Sequence, residues 1–341
     1  MNILCVSDYF LPGFRGGGPI RTLDNIRKLL AGQVTLSVFT RDRDLGAEGA
    51  YPDVEPNRWI DTPEGPIWYA TPDVFGPSGL KQALAARDAD MVYLNSFFSP
   101  RSSIRPYLTL RRSMRNMPVL LAPRGEFSPG ALAVKQFKKR LFLRFARGLG
   151  LYQDVFWHAS TPLEARDILR QFPKAEGKVF VASDPVAAGS AEADIYAVPK
   201  QAGRLRIAFI SRISPKKNLD GLLDVLATVG AEVELNIFGP AEDGPYWRRC
   251  KALMNKLPAN IRVTSHGPIP SASVEATFAR HDLFAFPTHG ENFGHVIFEA
   301  LRAGTPVLLS DQTPWREDEG GAVTVVPLDD KAGWCREIEH A

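Results

Sequence analysis

Short apolar runs alternate with helix-period stretches along the whole chain, and most of the runs end in glycine, proline or polar residues. Residues 3–6 form the first run, followed by Ser7, Asp8 and a loop that ends in Gly16, Gly17 and Gly18. Pro19 stands where a helix favours its first residue, and Ile20, Leu23, Ile26 and Leu30 then recur near helical period. Strand, glycine loop and helix in that order predict the opening of a Rossmann-like unit. Residues 34–40, 91–94, 119–122 and 156–160 read as further strands, and 162–172 as a helix. A second series begins with a strand at 205–210, a polar loop at 212–218, and a helix lined by Leu219, Leu222, Leu223 and Leu226. Strands at 233–237, 261–263, 283–286, 306–309 and 322–326 continue it, with helices between.

Between the two series, residues 184–203 turn to Ala, Gly, Pro, Ser and acidic side chains, the composition of a hinge. The expected organisation is an N-terminal domain over 1–183 and a C-terminal domain over 204–341. Both are α/β, doubly wound and Rossmann-like, and are expected to face each other across a cleft. Open parallel sheets bind ligands beyond the carboxyl ends of their strands, where the polar loops fall. The chain has 341 residues and 45% hydrophobic content, enough for two cores. Its net charge of +3 creates no demand for a nucleic-acid partner, and none is expected. Cys5, Cys250 and Cys335 lie far apart, in no metal or redox spacing, and suit a reducing compartment. The first residues are too short for a signal peptide, and no apolar run is long enough to span a bilayer. A cytoplasmic location is expected.

The chemistry concentrates in two segments. Glu291 and Glu299 bracket Asn292, Phe293 and Gly294. Were that stretch wholly helical, the two carboxylates would stand about 12 Å apart, close to the span from ribose to hexose in a nucleotide sugar. Phe293 and Gly294 are expected to open the helix, so that its N–H groups face a diphosphate. Glu299 is suited to accept from ribose hydroxyls, or is an exposed helix glutamate. Glu291 is suited to hexose hydroxyls or to positive charge at the anomeric carbon, and also to capping the helix. In the segment 211–218, Arg212 offers a fork and Lys217 a compact charge to phosphate oxygens; a solvated turn is the plain alternative.

Weaker signals surround these. Gly16, Gly17 and Gly18 lack the full dinucleotide fingerprint, yet their place after the first strand suits backbone approach to a ligand. His158 reads as a satisfied core histidine. His289 and His295 have no further ligands at zinc spacing. The acidic pairs Asp42/Asp44 and Asp88/Asp90 follow no convincing buried strand, which disfavours a metal-dependent transferase. Residues 135–147 mix six cations with five large apolar side chains, as a helix resting on an anionic membrane does, and as an ordinary amphipathic surface helix does too.

On these residues the chain resembles the family 4 glycosyltransferases of the GT-B fold, over nearly its whole length and most strongly from 206 to 327. Glu291 and Glu299 match that family's E-x7-E signature, with Asn292 where a glycine is usual; Arg212 and Lys217 match its paired cations, and Gly16 to Gly18 its N-terminal glycine loop. The resemblance implies a retaining transferase that moves a hexose from a nucleotide-diphosphate sugar to a glycan or lipid-linked acceptor, with no metal or other cofactor. It implies that Arg212, Lys217, Phe293 and Gly294 hold the diphosphate, Glu299 the ribose and Glu291 the sugar, while the acceptor binds the N-terminal domain. Bacterial surface polysaccharide or glycolipid synthesis, at the inner face of the membrane, is the implied setting.

Two departures stand out. The histidine usual after the fourth N-terminal strand is replaced by 123–126 (Pro-Arg-Gly-Glu), where Arg124 or Glu126 is expected to substitute. The usual C-terminal crossover helix is expected to be missing. These departures keep two rivals in play: a non-catalytic GT-B-like partner or sugar-nucleotide-binding protein, and a sugar-nucleotide epimerase.

Overall fold

A computed structural model describes residues 1–133, 135–186, 203–241 and 243–341. The chain divides into two compact units, Met1–Ala188 and Gly189–Ala341. Most of the expected hinge, 187–202, lies outside the described residues.

The first unit contains β1 (Asn2–Val6), β2 (Thr35–Arg41), β3 (Trp59–Ile60), β4 (Ile67–Ala70), β5 (Met91–Asn95), β6 (Val119–Ala122), β7 (Val155–Ala159) and β8 (Val179–Val181). They form one sheet in the order β3-β4-β2-β1-β5-β6-β7-β8, parallel throughout except for β3 against β4. The second unit contains β9 (Arg204–Ile210), β10 (Glu232–Phe238), β11 (Ile261–Gly267), β12 (Leu283–Phe286), β13 (Val307–Ser310) and β14 (Val323–Val326). Its order is β11-β10-β9-β12-β13-β14, all parallel.

The continuous apolar runs have a simple cause. Crossover helices cover both faces of a parallel sheet, so consecutive residues of a central strand are buried alike. In β1 four residues in succession are buried, and in β12 all four. Beneath the first sheet, Phe97 stands 4.7 Å from Phe127 and 5.0 Å from Tyr152 by ring centroids, and Trp157 is 5.1 Å from Phe172.

Several elements were not legible in the sequence. β3 is two residues long. β8 lies at the sheet edge with Phe180 and Val181 exposed, so it lacks the buried pattern of a central strand. Two expectations need correction. Asp42 does follow a buried strand, β2. It pairs with Arg43, while Asp44 accepts from the backbone N–H groups of Phe14 and Arg15 at 2.9 and 3.1 Å. The other correction concerns the start of the hinge. Asp184 is buried, and Asn25 Nδ2 donates to the Pro185 carbonyl at 2.8 Å, so 184–185 are tied to the first unit.

No helix among the described residues is long and apolar enough to cross a membrane. Burial pushes the Cys5 thiol up to about 12 and the Cys250 thiol to about 11, whereas Cys335 is only half-buried. A thiolate is the reactive form. Mild alkylation of the native protein is therefore expected to label Cys335 first, with Cys5 and Cys250 reacting only in denaturant. Mass spectrometry of the labelled peptides checks this, and early labelling of Cys5 would contradict the burial.

Candidate active site

In the second sheet the chain runs from β9 outward to β10 on one side and, later, to β12 on the other. That reversal leaves a crevice beyond the strand ends, the usual ligand position in such sheets. The loop after β9 carries Arg212 and ends in a 3₁₀ turn, Pro215–Lys217. Asn218 then turns through φ 58° into the helix Leu219–Leu226. The loop after β12 carries Glu291. Across the switch point, Lys217 Nζ donates to Glu291 Oε1.

Both loops are locked in place. Asn218 Nδ2 donates to the Pro287 carbonyl at 2.9 Å, and His289 N and Thr288 Oγ1 donate to the Lys216 carbonyl at 2.8 and 3.1 Å. Ser310, at the end of β13, donates to the Thr288 carbonyl at 2.5 Å, and Glu291 N to that of Gln312 at 3.2 Å. The two charged side chains are only 12% and 14% exposed, so their attraction is weakly screened. Burial pushes the Lys217 ammonium well below the usual lysine range, Lys216 and Arg212 add to this, and the Glu291 contact opposes it. Phe286 lies below, its ring centroid 5.1 Å from Nζ. Arg212 is exposed at the start of the same loop.

Glu291 does not cap the following helix, as one reading had it; its carboxylate goes to Lys217. Nor does the stretch from Glu291 to Glu299 form one helix. The helix spans His295–Arg302 and is preceded by Gly294 at φ 83°, so Phe293 lies outside it. A Cβ at position 294 would stand 2.7 Å from Ile297 Cδ1, which together with the positive φ favours glycine. The first turn contains no acidic residue, leaving the positive end of the helix uncompensated by side chains of its own. Trp315 Nε1 donates to the Phe293 carbonyl at 2.7 Å and fixes the approach. Ile297 and Ala300 bury the core face of this helix, and Glu299 is half-buried on another side.

A second close approach shapes the crevice. Gly239, at φ 139°, comes so near the preceding loop that a Cβ there would sit 1.8 Å from the Ser211 carbonyl oxygen. Phe238 stacks on His266 at 4.6 Å between ring centroids, and His266 Nε2 meets Asn236 Oδ1 at 2.7 Å.

The remaining candidates belong to the first unit. Gly17, at φ 70°, precedes the helix Gly18–Leu30, and Gly16 packs against Ile20. Arg124 is 6% exposed. Its Nη1 donates to Asp184 Oδ1 at 2.6 Å, its Nη2 to Tyr93 Oη at 2.6 Å, and its Nε and Nη2 to Asn95 Oδ1 at 3.0 and 2.7 Å. With its fork taken up by protein acceptors, Arg124 is a structural residue rather than the sugar contact expected of it. Glu126 is occupied in the same way, accepting from the N–H groups of Phe97 and Phe98 at 2.6 and 2.9 Å. His158 is satisfied, as expected, by Tyr93 and the Ala182 carbonyl.

The structure therefore brings Lys217 and Glu291 into contact, with Arg212, Asn292, Phe293, Gly294 and Glu299 on the same two loops and the helix that follows. Thr288, Ser310 and Trp315 escaped sequence reasoning, whereas the loop that contains Gly239 was read there as a place for selectivity toward the nucleotide base. Among the described residues, no group of three or more His, Cys, Asp or Glu is placed to hold a metal ion.

Residues 191–320 match the model of the family described as Glycosyl transferases group 1. The D-inositol 3-phosphate glycosyltransferase of Xylanimonas cellulosilytica is 34% identical over 128 residues, 37% of this chain and 29% of that protein. Its counterpart in Nocardia farcinica is 29% identical over 169 residues, 45% of this chain and 37% of that protein. The matched stretch thus spans about a third of the length of these curated relatives. Anabaena Alr3699/HepE, solved in complex with UDP and glucose, superposes with a TM-score of 0.73 at 19% identity, covering 100% of this chain and 89% of that one. Sucrose-phosphate synthase from Thermosynechococcus elongatus gives 0.69 at 18%, covering 99% and 89%. The fold is GT-B. Residues 191–320 are thus similar to the group 1 glycosyl transferases.

Proposed function

We propose that the protein moves a hexose from a nucleoside-diphosphate sugar to a hydroxyl of a glycan or lipid-linked acceptor, with retention at the anomeric carbon. The reading rests on one observation above others: a largely buried lysine, 12% exposed, and a carboxylate from two different loops meet at the switch point of the second sheet. A relative in fold, Anabaena HepE, was solved with UDP-glucose, which supports a nucleotide-sugar donor.

In this mechanism Lys217, Arg212 and the start of the helix His295–Arg302, with Asn292, Phe293 and Gly294, stabilise the departing diphosphate. Glu299 takes the ribose hydroxyls and Glu291 the hexose. The bond from the anomeric carbon to the β-phosphate oxygen breaks as the acceptor oxygen bonds to the same face of that carbon. The acceptor proton passes to the leaving phosphate oxygen. Fixed charge and alignment supply the rate, and no metal or cofactor takes part. The first unit, through Gly16, Gly17 and Gly18, is assigned to the acceptor, in a bacterial surface polysaccharide or glycolipid route.

Thermal-shift measurements against UDP-, GDP- and ADP-sugars test the donor half, since ligand at a hundred times its Kd stabilises by about 2.7 kcal/mol. One donor is expected to raise the melting temperature and then to be cleaved slowly to free sugar and nucleotide without acceptor. No shift with any of them would remove the donor site. A shift with no cleavage would leave a sugar-nucleotide-binding protein, and a rearranged nucleotide sugar would indicate an epimerase.

A further inference from the structure

The helix Gln136–Gly148 has apolar residues on two opposite sides, and the core explains only one of them. Leu143 and Ala146 are buried against the first unit. Phe137, Leu141 and Phe145 are 79%, 45% and 60% exposed, and Leu149, just past the helix end, is 71% exposed. Successive positions four apart drift by only about 40° around a helix, so Phe137, Leu141 and Phe145 make one stripe. That stripe points away from Leu143 and Ala146.

The charges beside the stripe are of one sign. Lys135, Lys138, Arg140, Arg144 and Arg147 are exposed, and residues 135–149 contain no acid. Lys139 is directed inward instead, donating to the Ala131 carbonyl at 2.6 Å. By helical angle Arg140 and Arg144 flank one edge of the stripe and Lys138 the other. Arg144 lines the same open hollow of about 380 Å³ as Leu141, Phe145, Gly148 and Leu149, so cation and apolar side chains share one surface.

We infer that this helix docks the protein on an anionic lipid bilayer, lying in the plane of the interface with Phe137, Leu141 and Phe145 entering the headgroup layer. The charge pattern selects this occupant. A second copy of the chain would bring two cationic faces together, whereas anionic headgroups neutralise them. Thirteen helical residues span about 20 Å, enough to lie along an interface and too few to cross the hydrocarbon. The inference stands apart from the transferase reading, because vesicle binding needs neither donor nor turnover.

Flotation of the full chain with vesicles of phosphatidylcholine containing phosphatidylglycerol, and with pure phosphatidylcholine, tests it. The wild type is expected to float with the anionic vesicles and much less with the neutral ones, and high salt is expected to weaken the binding. A Phe137→Ser, Phe145→Ser double variant is expected to partition on the order of tenfold less or weaker still. Arg140→Gln with Arg144→Gln is expected to lower binding to the anionic vesicles by a comparable factor, on the order of tenfold. All four positions are exposed, so both variants should melt with the wild type. Equal binding to both vesicle types, no binding, or unchanged binding by either variant overturns the inference. So does a dimer seen by sedimentation that the double phenylalanine variant abolishes, since a second copy would then cover the stripe.

Discussion

Lys217→Ala is expected to leave the fold intact and to reduce turnover by roughly a hundredfold or more. The lysine sits at the switch point of the second sheet, on a loop tied by Asn218, Thr288 and His289, none of which needs its ammonium group. Its own burial already disfavours the charge, so removing it relieves one cost while leaving Glu291 without its partner. The two effects oppose, and Glu291, 14% exposed, can be hydrated in part, so the loss of stability should be smaller than for a pair sealed from water. Turnover has no such compensation. A preorganised donor at a site of growing negative charge contributes on the order of 3 kcal/mol to the barrier, and the loss falls on kcat. Steady-state kinetics with the donor identified by thermal shift, together with a thermal melt, checks both halves. Turnover within threefold or so of wild type would take Lys217 out of the mechanism, since a lost transition-state donor costs far more than that.

Arg124→Ala is expected to do the reverse, acting on stability first. Its guanidinium joins the end of β5, through Tyr93 and Asn95, to Asp184 beyond β8. Asp184 also accepts from Thr22 and Ser160, at 3.1 and 3.2 Å, so the same carboxylate ties the helix Gly18–Leu30 to the end of β7. Both partners of the ion pair are nearly inaccessible, 6% and 4% exposed. Removing one partner of such a pair costs about 3–5 kcal/mol, because the other charge stays buried without compensation. For a unit of this size that corresponds to a fall in melting temperature on the order of 10 °C, readable by calorimetry. Arg124→Met combined with Asp184→Leu should recover much of the loss, as no charge is then orphaned. A melting temperature within about 2 °C of wild type for the single variant would mean the network contributes little.

These two residues also show which placements a sequence carries and which it does not. Lys217 and Glu291 were legible as candidates because each sits in a polar loop directly after an apolar strand, and such loops lie at the ligand edge of a parallel sheet. Arg124 sits in the same kind of loop and was read in the same way. The difference between them is not local. Arg124 turns back into its own unit because Asp184, 60 residues on, offers a buried carboxylate. Lys217 meets Glu291 because the sheet order sets β12 beside β9. The helix after Glu291 was foreseen to begin near Gly294, and Gly294 is the residue that precedes its first turn, while Phe293 lies outside it. Gly294 adopts a left-handed conformation that sequence permits without requiring, and Trp315 fixes the turn from 22 residues away.

The sequence by itself determined the alternation of strand and helix, the two-unit organisation and the types of side chain at the strand ends. These follow from periodicity and composition, which act over a few residues at a time. Only the tertiary structure decided that the loops after β9 and β12 adjoin, and therefore that Lys217 and Glu291, 74 residues apart, form one site. It also decided that Arg124 is spent on structure and that Phe137, Leu141 and Phe145 face outward. The reason is physical. Strand order and burial depend on which distant surfaces exclude water together, and no local pattern contains that information.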